Sequence, residues 1–324
     1  MIVVTGGAGF IGSAFVWKLN KEGVDDILIV DNLGTSDKWR NLVPLRFTDY
    51  LHKDRFHEMI LADRVPMDVT AVIHMGACSS TVERDAGYLM ENNYRYSRSL
   101  AEWAVRKDLR FIYASSAATY GDGAMGFFDD NETSVMLRPI NMYGYSKQLF
   151  DLWVLRNRLD LKITGIKFFN VFGPNEYHKG DMRSVIHKAY GQIREKGVVK
   201  LFKSHRPDYE DGEQKRDFVY VKDCVEVLCW LLDRQDVTGI FNLGTGNARS
   251  WNDLISAVFT AMKHVPSIEY EEMPEEIRAH YQYYTEASME KLKAAGFPVS
   301  FHTLEEAVSD YVEKYLERGE QCLA

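Results

Sequence analysis

Tyr143 and Lys147 stand four residues apart in the pentapeptide Tyr143-Gly-Tyr-Ser-Lys147. Four residues on a helix put two side chains on one face, about one turn apart. The ammonium can then sit beneath the phenol and favour the phenolate. A free tyrosine has a pKa of about 10, too high for a base near neutral pH. A nearby cation, from the lysine or from a cofactor, lowers it. Such a group can move a proton on or off an alcohol while a hydride leaves its carbon. Alone the spacing is a weak signal, because many helices carry it by chance. Tyr145 lies off the Lys147 face and is expected to pack.

The elements that would position this pair begin at the first residues. Ile2 to Thr5 is a β-branched run that ends in Gly6-Gly7-Ala8-Gly9-Phe10-Ile11-Gly12. Apolar residues then recur at helical spacing to about Lys21. A glycine-rich turn between strand and helix is the context in which such glycines bind a pyrophosphate. The turn needs residues free of Cβ strain, and the helix N-terminus offers unpaired N–H groups. The spacing is G-x-x-G-x-x-G. Ile27 to Asp31 reads as a buried strand ending in a carboxylate, 19 residues after Gly12. There an acidic group meets the adenosine ribose. Asp31 alone favours NAD, since it repels a 2′-phosphate. Asn32, Lys38 and Arg40 follow and could hold that phosphate instead, with Lys53 near the adenine.

Ala71 to Met75 reads as the next strand. The small-residue loop Gly76-Ala77-Cys78-Ser79-Ser80 follows it and would line the cofactor crevice with Met75. His74 reads as a strand-end packing residue. A long helix around Asp85 to Arg106 carries Asn92 and Asn93. Arg110 to Ala114 is a strand ending in Ser115-Ser116-Ala117-Ala118-Thr119-Tyr120-Gly121, followed by a polar, acidic loop through Glu132. Met142 to about Arg158 is the helix of the Tyr/Lys pair, and Lys162 to Phe169 a further strand. Alternating strands and helices predict an α/β, Rossmann-like, doubly wound parallel sheet. Met182 to Lys196, Val225 to Leu232, Trp251 to Met262 and Leu304 to Tyr315 read as helices, Phe218 to Val221 and Ile268 onward as strands, and Phe202 to Gln214 as a loop. Residues 1–170 with 217–247 are expected to bind the cofactor. Residues 171–216 with 248–324 are expected to form a smaller, mostly helical lobe over the substrate.

Composition narrows the classes. A chain of 324 residues with 46% hydrophobic and 27% charged content is that of an ordinary soluble globular protein. A net charge of −8 argues against nucleic acid. No apolar run suits a bilayer, and the opening strand leaves no room for a signal peptide. Four scattered cysteines and nine unclustered histidines suggest neither disulfides nor a metal site.

The glycine turn, Ser116 in a Ser-Ser-Ala-x-x-Tyr-Gly loop and Tyr143-x-x-x-Lys147, in that order, resemble the extended short-chain dehydrogenase/reductases that act on nucleotide sugars. Asn170-Val171-Phe172-Gly173-Pro174, Arg216 to Asp223 and Phe241 to Gly246 strengthen the likeness. Nearly the whole chain is similar to the ADP-L-glycero-D-manno-heptose 6-epimerase family, through His74 to Thr81, Tyr113 to Gly121, His178-Lys179-Gly180 and Lys215 to Val221. The resemblance implies an isomerase with tightly bound NADP, an ADP-sugar substrate, a cytoplasmic location, a homo-oligomer described as a pentamer, and a place in the route to lipopolysaccharide core sugar. It implies Tyr143 as base, Lys147 steadying the phenolate, Ser116 on the reacting oxygen and Lys179 as a second acid/base. It adds Asn92, Val171 and Lys179 to the cofactor contacts. Asn170, Phe202, Arg216 and Tyr281 would meet the substrate, with Arg216 on the diphosphate. Ala117 and Ala118 replace the Thr-Asp-Glu pattern of sugar-nucleotide dehydratases, which argues against water elimination. The chain departs from the family at Met75, at Asp181 and in the longer stretch from Lys203 to Gln214. A UDP-hexose 4-epimerase using NAD, or a non-catalytic NADP-binding sensor, are the competing readings.

Overall fold

The computed structural model describes residues 1–66, 68–278, 281–298, 300–320 and 322–324. The strands in chain order are β1 (Ile2–Thr5), β2 (Ile27–Asp31), β3 (Asp49–His52), β4 (Ala71–His74), β5 (Arg110–Ser116), β6 (Thr164–Phe168) and β7 (Asn170–Phe172). They continue as β8 (Val199–Phe202), β9 (Lys215–Tyr220), β10 (Gly239–Leu243), β11 (Ala248–Ser250) and β12 (Ile268–Glu271). Seven of them form one parallel sheet in the order β10-β6-β5-β4-β1-β2-β3.

Period-two alternation sends successive side chains of each strand to opposite faces. Ile27 and Ile29 enter the core with Phe15 and Leu19 of the helix Phe10–Lys21. Leu28 and Val30 enter the other core with Phe56, Leu100, Phe111 and Phe150. Helices on both faces explain why β1, β2 and β4 read as near-continuous apolar runs. After β1 the chain winds outward through β2 and β3, then returns to β4 on the other side. This reversal opens a crevice at the carboxyl ends of β1 and β4.

The remaining strands are short. β9 lies between β7 and β11, and β8 pairs with β12. With the helices Val185–Lys196, Trp251–Ala261 and Leu304–Tyr311 they stand beside the carboxyl edge of the main sheet. Several boundaries differ from the sequence reading. β3 and the helix Lys53–Leu61 were not anticipated, because Asp49–His52 is half exposed and lacks an apolar run. The helix Asn131–Met136, capped by Asp130, interrupts the acidic loop. The helix expected from Met182 starts at Val185, where the Ser184 side chain accepts the His187 N–H. Tyr145 does not pack: it is 46% exposed, because two residues beyond Tyr143 the helix turns its side chain to solvent. No helix among the described residues is long and apolar enough to cross a membrane.

Candidate active site

The glycine turn is shaped by contact. Gly6 has φ of +67°, and a Cβ there would stand 2.6 Å from the Gly76 backbone nitrogen. A Cβ on Gly12 would lie 2.2 Å from the Gly6 carbonyl oxygen. The Gly6 N–H donates to Val30 O at 2.7 Å, and the Gly9 N–H to Gly6 O at 2.9 Å. No side chain caps the helix that follows, so its first N–H groups are free for an anion.

The turn floors a cavity of about 430 Å³. Gly6, Gly9, Phe10, Ile11 and Gly12 form one side, and Met75, Gly76, Ala77, Cys78 and Ser79 another. Asp31, Lys38, Tyr143, Lys147 and Lys179 line the cavity as well. A neighbouring cavity of about 200 Å³ holds Asp31, Asn32, Lys38, Lys53 and Asn92. The two volumes suit the two halves of a dinucleotide across the switch point. The fit is to a diphosphate at the glycines, where any Cβ would collide.

The carboxylate of Asp31 turns inward. It accepts the Ala8 N–H at 2.9 Å, the Asn32 N–H at 2.7 Å and the Lys38 ammonium at 2.6 Å. Lys53 donates to Asn92 at 2.8 Å. Arg40 is 58% exposed beside Asp37 and behaves as a solvated loop cation.

Tyr143 and Lys147 lie on the helix Met142–Arg156, capped by the Asn141 side chain on the Gly144 N–H. Burial raises the Tyr143 phenol above its ordinary range, and a hydrogen bond with Ser116 opposes that. Lys147 stands one turn along the same helix. Its ammonium donates to the Ala114 carbonyl at 2.8 Å, because β5 runs directly behind it. Burial lowers Lys147 to about 8, against the opposing charge of Asp151. The protein alone therefore does not depress Tyr143. His74 is buried between Thr5 Oγ1 (2.6 Å) and Ser97 Oγ (2.8 Å), and burial lowers it to about 3, so it stays neutral. It packs and bonds; it is no ligand.

Lys179 approaches from the turn Tyr177–Met182. Its ammonium lies 5.3 Å from the centre of the Phe10 ring. Burial lowers its pKa and the Glu176 charge opposes the change. Glu176 is itself buried, accepting the Ser184 N–H and hydroxyl, both at 2.6 Å.

These features recur in known proteins. The model of the NAD dependent epimerase/dehydratase family matches residues 2–244. A relative from Nitratidesulfovibrio vulgaris (Hildenborough), named ADP-L-glycero-D-manno-heptose-6-epimerase, is 63% identical over 324 residues, covering 100% of both chains. One of the same name from Fusobacterium nucleatum is 48% identical over 332 residues, again covering 100% of both. The chain belongs to the NAD dependent epimerase/dehydratase family. Among solved structures, the Helicobacter pylori ADP-L-glycero-D-manno-heptose-6-epimerase superposes with a TM-score of 0.82 at 25% identity, covering 97% of this chain and 95% of that one. The likeness first read from motifs thus extends over the whole chain.

Within this epimerase/dehydratase frame the substrate residues divide. Arg216 on β9 is buried, not a surface ion-pair partner. Its guanidinium donates to Lys215 O at 2.8 Å and to Gln282 O. It stacks on Tyr281 (5.2 Å) and Trp251 (5.7 Å), and Trp251 donates to the Tyr281 hydroxyl at 3.0 Å. Trp251 also lines a cavity of about 190 Å³ with Asn170 and Val171. Phe202 ends β8, half-buried and paired with Glu271.

Three groups escaped sequence reading. His178 lines the main cavity, lowered to about 4 by burial and by Lys179. Asn93 holds Cys78 from both sides, accepting its N–H at 2.8 Å and donating to its carbonyl at 3.0 Å, and also donates to Ser146. It lies in a π-helical turn, Met90–Arg95, a distortion common at functional sites that no spacing rule announces. Asn41 donates to Ala8 O (3.0 Å) and Asn175 O (3.2 Å), and Asn175 donates to Ser13 and accepts the Leu323 N–H. Only burial, invisible from residue type, marks these asparagines.

Proposed function

We propose that the chain epimerises ADP-D-glycero-β-D-manno-heptose to ADP-L-glycero-β-D-manno-heptose at C6, with NADP held throughout. The carrying observation is that Tyr143, Lys147 and Lys179 line one cavity with the glycine turn. A carbon bearing a hydroxyl and no acidic C–H cannot invert by simple deprotonation. It must pass through a ketone that offers its other face. The bound nicotinamide supplies the acceptor and donor of hydride, with no net redox change.

The chain's own residues do the rest. Tyr143 takes the hydroxyl proton on oxidation and returns one on reduction. Ser116 donates a hydrogen bond to the same oxygen. Lys147 keeps a positive charge below the phenol's side of the site and holds ribose hydroxyls. Lys179, on the facing wall, serves the other ketone face. Arg216, flanked by Tyr281 and Trp251, receives the diphosphate; Asn170, Phe202 and Tyr281 face the substrate. Residues 1–170 with 217–247 carry the cofactor, and 171–216 with 248–324 the substrate. NADP is favoured because Asp31 is already neutralised by Lys38 and turned toward Ala8, which leaves Lys38 and Asn32 beside the ribose. We assign the enzyme to the cytoplasm, to lipopolysaccharide core-sugar synthesis and to a homopentamer.

The test is incubation of the purified protein with ADP-D-glycero-β-D-manno-heptose and proton NMR of C6. Appearance of the L-glycero epimer is expected; an unchanged sample refutes the reaction. Asp31 is the one feature favouring a UDP-hexose 4-epimerase with NAD. The dinucleotide released on denaturation, with a UDP-galactose assay, separates the two.

A further inference from the structure

Three consecutive residues of β5 are each held by one turn of the helix Met142–Arg156. Tyr143 faces Ser116. Lys147, one turn on, donates to Ala114 O at 2.8 Å. Asp151, a further turn on, accepts the Ser115 hydroxyl at 2.7 Å. The first two rungs are the acid/base pair. The third is a carboxylate that the reaction, as derived above, does not use.

Asp151 is fully buried, and its three side-chain partners are specific. Besides Ser115 it accepts the Tyr113 hydroxyl at 2.9 Å and the Lys167 ammonium at 2.7 Å. Lys167 is also fully buried, donates to Thr119 at 2.8 Å, and sits opposite Ser115 in the β5–β6 register. Room for this arrangement is made at Gly165, where a Cβ would lie 2.4 Å from the Tyr113 ring. A buried ion pair is a poor device for stability, since apolar residues of the same volume often do as well. Its position one turn below Lys147 supplies another reason. The groups facing Lys147 are Tyr143 and Asp151 on its own helix, Tyr113 on β5, Lys167 on β6, neutral His74 on β4 and Cys78 after it. Among them Asp151 is the carboxylate.

We infer that Asp151, braced by Lys167, Tyr113 and Ser115, is a positioning residue for Lys147: it fixes the helix against β5 and supplies the counter-charge that keeps Lys147 an ammonium in a dry site. This rests on the epimerase reading for its catalytic meaning, but not for its test. Removing the carboxylate withdraws an opposite charge from a buried cation.

The experiment is 15N NMR of lysine-labelled protein as purified, with the Lys147 resonance assigned through Lys147→Arg. In Asp151→Asn the Lys147 titration midpoint should fall by about one pH unit or more. The alkaline limb of kcat should move with it, while KM changes less than about twofold, since the substitution touches no substrate contact. Asp151→Asn with Lys167→Gln removes both charges and should place the midpoint between the two. If the single variant does not fold, the double variant decides. A Lys147 midpoint unmoved in a folded variant overturns the inference, whatever happens to kcat. Failure of the unaltered protein to convert ADP-heptose would instead sink the epimerase reading and leave the NMR result standing.

Discussion

Tyr143 reaches the cavity from a regular helix clamped rung by rung to a central strand, whereas Lys179 reaches it from a turn whose backbone breaks helical geometry at Gly180 (φ 55°, ψ −126°). The first wall inherits its precision from the sheet. The second is held by individual polar contacts: Glu176 on Ser184, Asn175 on Ser13, Asn41 across both. On the proposed reading, the two acid/base groups of the site differ in how much order stands behind them. A sheet-borne group suits a role that tolerates no misplacement. A turn-borne group can adjust to a substrate that presents two faces.

The sharpest way to break this contrast is Tyr143→Phe. Loss of a positioned acid/base group should lower kcat by about two to four orders of magnitude, with bound dinucleotide unchanged on denaturation. Near-normal turnover would mean that the clamped wall is not the chemical one. Lys179→Met should cost less, about a hundredfold in kcat/KM, and by the same factor from either epimer because the equilibrium constant is fixed. A loss as large as that of Tyr143→Phe, read from initial rates, would erase the difference between the walls.

The pH dependence sharpens it further. Lys147 is lowered from 10.5 to about 8 by burial, so below about 8 the folded protein holds the ammonium and above it loses the charge. Activity should therefore fall as pH rises through about 8. Stability should move the other way: between about 8 and 10.5 the unfolded chain binds more protons at this site than the folded one, so this term stabilises the fold as pH rises. Chemical denaturation at pH 8 and 10 reads the second effect. Lys38→Ala should weaken NADP retention about tenfold, the worth of one charge-assisted bond, and leave NAD retention little changed. Tyr145→Ala, on the solvent side of the same helix, should shift stability by less than about 0.5 kcal/mol.

The same contrast explains what was legible in the sequence. The glycine turn, the strand ending at Asp31 and the Tyr/Lys pair lie on regular elements, where period and spacing translate directly into faces. The buried alternation of Ile27 to Val30 followed from that logic. The rest depends on contacts between distant segments. Nothing local marks Asp151 as the partner of Lys167 and Ser115, or Asn93 as the clamp on Cys78. Helix spacing brings the Tyr143 and Lys147 side chains to one face but does not say that the Ala114 carbonyl waits for the Lys147 ammonium. Tyr145 was expected to pack because it lies off the Lys147 face, but that side of the helix meets solvent.

Asn41 and Asn175 tie together four separate stretches: the glycine turn at Ala8, the helix at Ser13, the turn that carries Lys179, and Leu323, which is fully buried. The kinetic consequence is that these stretches open as one unit. The Leu323 amide, far along the chain from the glycines, should exchange its hydrogen with solvent on the same clock as the Ala8–Ser13 amides. A dinucleotide seated on the turn should slow both clocks together, so its dwell time is legible at an amide it never touches.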